Sequence, residues 1–204
     1  VGCEDLHTLI LNKGDFFGND TERSNDVAQK LYHSMYEYLK DKTNIFGYHF
    51  LMGDLFGYNP HFKWFGEKMG ATPDGRKAGR PLKFGLQQSG GYDRNGLSAL
   101  LNSIAKVDPS GIGCGSTVTN FMIDEQLIKN DEHFEKTVDM LETYFKMGGV
   151  HFQLTYVSKE DLIHAKVTPE DYKHLRVRVR GYSDYFVKLN ESIQDNIIER
   201  TSHK

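Results

Sequence analysis

The stretch Arg176-Val177-Arg178-Val179-Arg180-Gly181-Tyr182-Ser183 alternates valine with arginine and then stops on a glycine. A period of two marks a strand with two unlike faces. Tyr182, Tyr185, Phe186 and Val187 come next, so the polar turn expected after a simple hairpin glycine is absent. Glycine has one chemical property that no other residue shares. Its Cα carries no side chain, so it can flatten between an amide nitrogen that donates electron density and a carbonyl that withdraws it. A carbon-centred radical needs that setting, together with shelter from oxygen and solvent. The aromatic run after Gly181 fits the second need. On the strand pattern alone, Gly181 reads as a bulge or turn glycine.

Other residues carry chemistry in weaker patterns. Cys3 and Cys114 are the two cysteines. Two thiols make no disulfide framework, and neither sits in a CxxC pair, so this chain alone offers no iron-sulfur or zinc site. Asp74-Gly75-Arg76 has the glycine and arginine of an anion loop but not the spacing of a P-loop, and reads as a structural turn. His49 with His61, and His151 with His164, lack metal-ligand spacing. Arg176, Arg178 and Arg180 form a basic edge. With a net charge of -3, the chain nevertheless lacks the basic excess of a nucleic-acid surface. Tyr32, Tyr36 and Tyr38 read as a half-buried helix face.

Around these residues, a hydrophobic share of 38% with 12% aromatics permits a packed core and argues against disorder. No apolar run approaches the roughly 18 residues of a membrane helix. No signal-peptide pattern is visible in a chain that opens on Val1, and few cysteines suit a reducing compartment, so a cytoplasmic location without a membrane partner is expected.

The elements follow from periodicity and caps. Asp5 to Asn12 reads as a short helix, then Asp15 to Asp20 as a turn. Thr21 or Ser24 caps a helix over 25–39 with Val27, Leu31, Met35 and Leu39 on one face. The segment 44–62 lacks a period and reads as extended loop with one short strand. Gly70 to Leu82 is a loop, Asn95 to Val107 a helix, and Asp108 to Gly115 a glycine-rich break. Thr117 to Asp124 reads as a strand. Asp131 to Met147 is the clearest helix, with Phe134, Val138, Leu141 and Phe145 as its stripe and Gly148-Gly149 as its stop. Val150 to Val157 alternates as a strand. Ser158 caps a helix to Lys166 with Asp161 at N3, and Pro169 opens another short one. The arginine-valine strand and a helix over 190–200 complete an α/β pattern.

The C-terminal region is similar to a known family. After Gly181 the chain reads Tyr185-Phe186, then Gln194-Asp195-Asn196-Ile197-Ile198-Glu199-Arg200-Thr201. Together with Val177 to Ser183, this resembles the glycyl radical enzyme signature V-R-V-x-G-Y/F-S/A, an aromatic pair, and Q-D-x-I-I-x-R-T. Arg180 departs from the signature, in which small residues usually precede the glycine; a long cation there needs a carboxylate, a solvent route or a bound anion. Ala71-Thr72-Pro73-Asp74-Gly75-Arg76-Lys77-Ala78-Gly79 resembles the family's A-T-P-D-G-R-x-A-G loop. Gly90 to Ala105, Gly148-Gly149 and Pro169 to Tyr172 fit as well, so the resemblance spans at least Gly18 to His203. The Tyr182-Ser183 and Tyr185-Phe186 pairs look more like the diol, choline and hydroxyproline lyases than pyruvate formate-lyase.

The resemblance implies the C-terminal part of a ten-stranded α/β barrel, with the glycine loop inserted in the barrel. Residues 1–70 would be a helical and loop segment of the barrel, and residues 71–204 the glycine radical domain. Gly181 would store the radical, with Arg180, Tyr182 and Ser183 as its neighbours. No cofactor would be bound permanently; an activating enzyme using S-adenosylmethionine and an iron-sulfur cluster would install the radical. The radical would pass to a cysteine, which attacks a small polar substrate in a lyase, dehydratase or acyltransferase reaction. In the family that cysteine lies several hundred residues before the glycine, in a G-C-V-E context. Gly2-Cys3-Glu4-Asp5 lacks the spacer and stands too close to Gly181, and Cys114 reads as a buried structural thiol. The expected partner is therefore a larger chain carrying the cysteine, as in a split enzyme. The alternatives are a piece of a longer chain, or a non-catalytic spare part that restores an oxygen-damaged enzyme.

Overall fold

In the computed structural model, the described residues are 3–50, 52–53, 59–82, 86, 92–108, 114–116, 119–123, 125–179, 182–198 and 202–203. The helices are α1 (Cys3–Lys13), α2 (Glu22–Leu39), α3 (Asn59–Lys68), α4 (Gly96–Val107), α5 (Asp131–Lys146), α6 (Lys159–Val167) and α7 (Glu191–Ile198). The strands are β1 (Met52–Gly53), β2 (Cys114–Ser116), β3 (Asn120–Ile123), β4 (Gln153–Tyr156), β5 (Arg176–Arg178), β6 (Ser183–Tyr185) and β7 (Ser202–His203). β1 pairs with β2 in parallel, β3 lies between β4 and β7 with both neighbours parallel, and β5 and β6 are antiparallel. Parallel pairs joined through helices make this an α/β fold.

The caps read from the sequence at Thr21 and Ser158 form as expected, and Asn130 caps α5 without having been singled out. Thr21 Oγ1 accepts the Ser24 N–H at 3.3 Å, Asn130 Oδ1 accepts that of His133 at 2.9 Å, and Ser158 Oγ accepts that of Asp161 at 3.0 Å. α5 ends at Gly148, whose φ of 100° is open to glycine at little cost.

Alternation along β3 and β4 divides the core between the two faces of the sheet. Phe121, Ile123 and Leu154 meet Leu97, Leu100, Leu101 and Ile104 of α4 and Tyr144 of α5. Met122 faces the other way, among Leu162, Val177, Val179, Phe186 and Ile197. The second cluster is what seats the β5–β6 hairpin on the sheet.

Two helices turn other faces inward than their apolar stripes foretell. α2 buries Ser24 and Asn25, while Val27 and Leu31 stay 59% and 62% exposed. α5 buries Thr137 and Tyr144, and Phe134 is left 55% exposed. The inward residues form polar bonds that a stripe count ignores: Thr137 Oγ1, for instance, donates to the Leu127 carbonyl at 2.8 Å. Two further segments differ from the sequence reading. Asn59 to Phe62 belongs to α3 rather than to a loop, and Cys114, placed in a glycine-rich break, pairs with Met52 of β1.

The early helices are clasped to α4 through Asn19 and Asp20. Asn19 Oδ1 accepts the backbone N–H groups of Arg94 (2.7 Å) and Asn95 (3.1 Å). Asp20, at a φ of 55°, accepts from Asn25 (2.8 Å), Lys106 (2.6 Å) and Asn102 (3.1 Å). Burial alone would raise the Asp20 carboxyl, but these three hydrogen bonds and the Lys106 charge outweigh it and hold the pKa below the ordinary aspartate value. A carboxylate depressed in the folded state stabilises fully above its unfolded pKa of about 4, and that contribution is lost as pH falls through the folded value. Asp20→Asn should therefore cost about 1–3 kcal/mol at pH 7. The gap to the parent should narrow on acidification below about pH 4, as read by urea unfolding across that range. An unchanged gap would contradict the clasp.

Candidate functional site

The arginine-valine segment forms the outgoing arm of a hairpin. Arg176, Val177 and Arg178 stand opposite Tyr185, Asp184 and Ser183. The Val179 N–H donates to the Tyr182 carbonyl at 2.9 Å, and the Phe186 N–H donates to the Leu175 carbonyl at 2.8 Å. Arg180 and Gly181 are the only residues between Val179 and Tyr182 in the sequence, and both lie outside the described residues. β5 and β6 run antiparallel, which corrects the inference that a missing polar turn argues against a hairpin. The returning strand is fixed by its pairing and by Phe186, which is fully buried.

The hairpin has an apolar inner side and a charged outer one. Val177 and Val179 are each 1% exposed against Met122. Outside, the Tyr185 ring lies between the Arg176 guanidinium (5.7 Å) and the Lys188 ammonium (4.7 Å). Tyr182 is half exposed, and Ser183 opens β6.

Arg178 joins this hairpin to the sheet. Its Nε–H donates to Gln153 Oε1 on β4 at 3.1 Å, and its other arm donates to Ser183 Oγ at 3.3 Å. The Gln153 amide nitrogen lies 3.5 Å from His151 Nε2. Burial, and then the Arg178 charge, push the His151 pKa below its usual value, which keeps the ring neutral and able to accept. Pattern reading did not find this polar chain. Its only sequence trace is the alternation of His151, Gln153 and Thr155.

The other candidate residues lie on other elements. Cys3 opens α1 and Cys114 opens β2. The 70–82 loop is a structural turn, as its sequence suggests: the Arg76 guanidinium donates to the carbonyls of Gly70, Lys77 and Arg80. Gly75, at a φ of 97°, leaves no room for a Cβ beside Tyr92. His49 is bonded to the Lys40 carbonyl at 3.2 Å. Among the described residues, no three His, Cys, Asp or Glu side chains gather as a metal site would require. Nor is any helix there long and apolar enough to cross a membrane.

Comparison with known proteins accounts for the arrangement. The family model described as "Glycine radical" matches residues 82–187, just over half of the chain, and the chain belongs to that family. The trans-4-hydroxy-L-proline dehydratase of Clostridioides difficile is 33% identical over 200 residues, covering 98% of this chain and 25% of the relative. An isethionate sulfite-lyase of Oleidesulfovibrio alaskensis is 31% identical over 205 residues, 99% of this chain and 24% of its own length. The glycerol-bound B12-independent glycerol dehydratase of Clostridium butyricum superposes with a TM-score of 0.84 at 34% identity, over 98% of this chain and 25% of that structure. The chain therefore spans about a quarter of the length of the curated relatives it matches.

Proposed function

We propose that Gly181 stores a carbon-centred radical for a lyase or dehydratase acting on a small polar substrate. The observation that carries this reading is the hairpin that brackets Gly181, seated on the β3–β4 sheet inside the segment matched by the glycine radical family. Arg180, Tyr182 and Ser183 would flank the radical. The relatives named above are dehydratases and a lyase, which favours those reactions over acyl transfer.

In the proposed cycle, a separate S-adenosylmethionine and iron-sulfur activating enzyme removes one hydrogen atom from the Gly181 Cα. The Gly181 radical then takes the hydrogen of a cysteine S–H. The resulting thiyl takes a hydrogen from a substrate C–H, after which a neighbouring C–O, C–N or C–C bond breaks. The product radical recovers the hydrogen from the thiol, and the thiyl so regenerated takes the hydrogen back from the Gly181 Cα, which restores the stored radical. That cysteine, and the residues that choose the substrate, belong to polypeptide beyond this sequence, either a larger partner chain or another part of the same one.

Residues 1–70 would form a barrel segment beside the glycine radical domain of 71–204, with the hairpin inside a ten-stranded barrel. The uncovered apolar faces of α2 and α5 support additional polypeptide packing there. A cytoplasmic, oxygen-poor setting suits the chemistry, and no nucleic acid or membrane enters it.

The native mass of the protein, purified without oxygen, tests the arrangement. A 23.4 kDa chain held with a larger cysteine-bearing chain is expected for the split enzyme. A 23.4 kDa species that remains alone and without activity would overturn it. A single polypeptide several times that mass would place the cysteine on the same chain.

A further inference from the structure

We infer that Gln153 is a positioning residue that sets how readily the β5–β6 hairpin leaves the sheet. Its side-chain carbonyl on β4 takes the Nε–H of Arg178 at 3.1 Å, while the same guanidinium reaches Ser183 across the hairpin at 3.3 Å. One side chain thus gathers both arms and fastens them to the sheet. The two attachment points, Arg178 and Ser183, bracket the connection that contains Gly181.

Val177, Val179 and Phe186 add apolar contacts, and Gln194 Nε2 donates to the Phe186 carbonyl at 2.9 Å, beyond the hairpin's end. Apolar contacts are undirected and allow the hairpin to slide or tilt. The Arg178–Gln153 bond is directional, and Gln153 is only 8% exposed, so water replaces it poorly. A glycine that must be sheltered in one state and presented to another protein in a second needs a latch of limited strength. A buried neutral amide on a guanidinium supplies one, where a carboxylate in its place would bind more tightly.

The functional meaning rests on the Gly181 reading, but the latch is tested independently of it. Hydrogen–deuterium exchange is measured on the full polypeptide that contains this sequence, before any activation. Gln153→Leu keeps the bulk and removes the acceptor. It should speed exchange of the hairpin amides, Val179 and Phe186 among them, by roughly tenfold or more, since a hydrogen bond to a charged group is typically worth at least that factor. Amides of α4 and α5 should be unaffected. Gln153→Glu, which keeps an acceptor at the same place, should leave hairpin exchange as slow as in the parent or slower. Unchanged hairpin exchange in Gln153→Leu would overturn the inference. So would a rise that spreads equally through α4 and α5, which marks general destabilisation. If the parent forms no glycine-centred radical on activation, the Gly181 reading fails while the exchange result stands.

Discussion

Gly181→Ala is expected to leave the activated protein without a glycine-centred radical and to reduce turnover to background. The added methyl group crowds a Cα that has to flatten between its amide and carbonyl neighbours. The cycle proposed above also begins every turnover from this one atom. The fold should survive the change. Val177, Val179 and Phe186 hold the hairpin to the sheet, together with the Arg178–Gln153 bond, and none of these is altered. Spin quantitation and turnover after anaerobic activation give the readout, with thermal unfolding as the control. A persistent carbon radical in the variant would sink the assignment.

Gly149→Ala is expected to have the largest effect on stability. A Cβ at this position would stand 2.3–2.5 Å from ring carbons of Tyr144, far inside contact distance. The ring has little freedom to withdraw. Tyr144 is 1% exposed in the core between α4 and β3, and its hydroxyl donates to the His151 carbonyl at 3.1 Å. Moving the ring breaks that bond and disturbs His151, two residues before β4 begins at Gln153. Overpacking plus a lost buried hydrogen bond amounts to about 2–4 kcal/mol. For a domain of this size that is a fall in Tm of roughly 5–15 °C, measured by calorimetry or circular dichroism. A shift under about 2 °C would mean that the helix end gives way easily, contrary to this account of the Gly148-Gly149 stop.

Much of the helical framework was legible because its signals are local. Thr21 and Ser158 each announce a helix by a side chain that caps the first turn, and Gly148 announces an end. Short strands carry no such signal. β1 has two residues and β2 three, and they exist through pairing across some sixty positions, which no local pattern records.

The inward faces of α2 and α5 were misjudged for a different reason. An apolar stripe states that something covers it, not that this chain does. Val27, Leu31 and Phe134 remain open here, on a chain that spans about a quarter of its curated relatives. At the site, Gly181 stood out through the family signature rather than through periodicity, and its strand was legible while its return was not. The Arg178–Gln153 bond joins residues 25 positions apart, on elements whose order in space only the fold reveals.

The proposed chemistry depends on a radical at Gly181. The most direct measurement is the electron paramagnetic resonance spectrum of the anaerobically activated full polypeptide, prepared once with ordinary glycine and once with glycine deuterated at Cα. A glycine-centred radical keeps a single Cα hydrogen, so the account predicts a doublet that collapses to a narrow line on deuteration and disappears in Gly181→Ala. A persistent radical whose line shape ignores the label, or one that survives in Gly181→Ala, would contradict it.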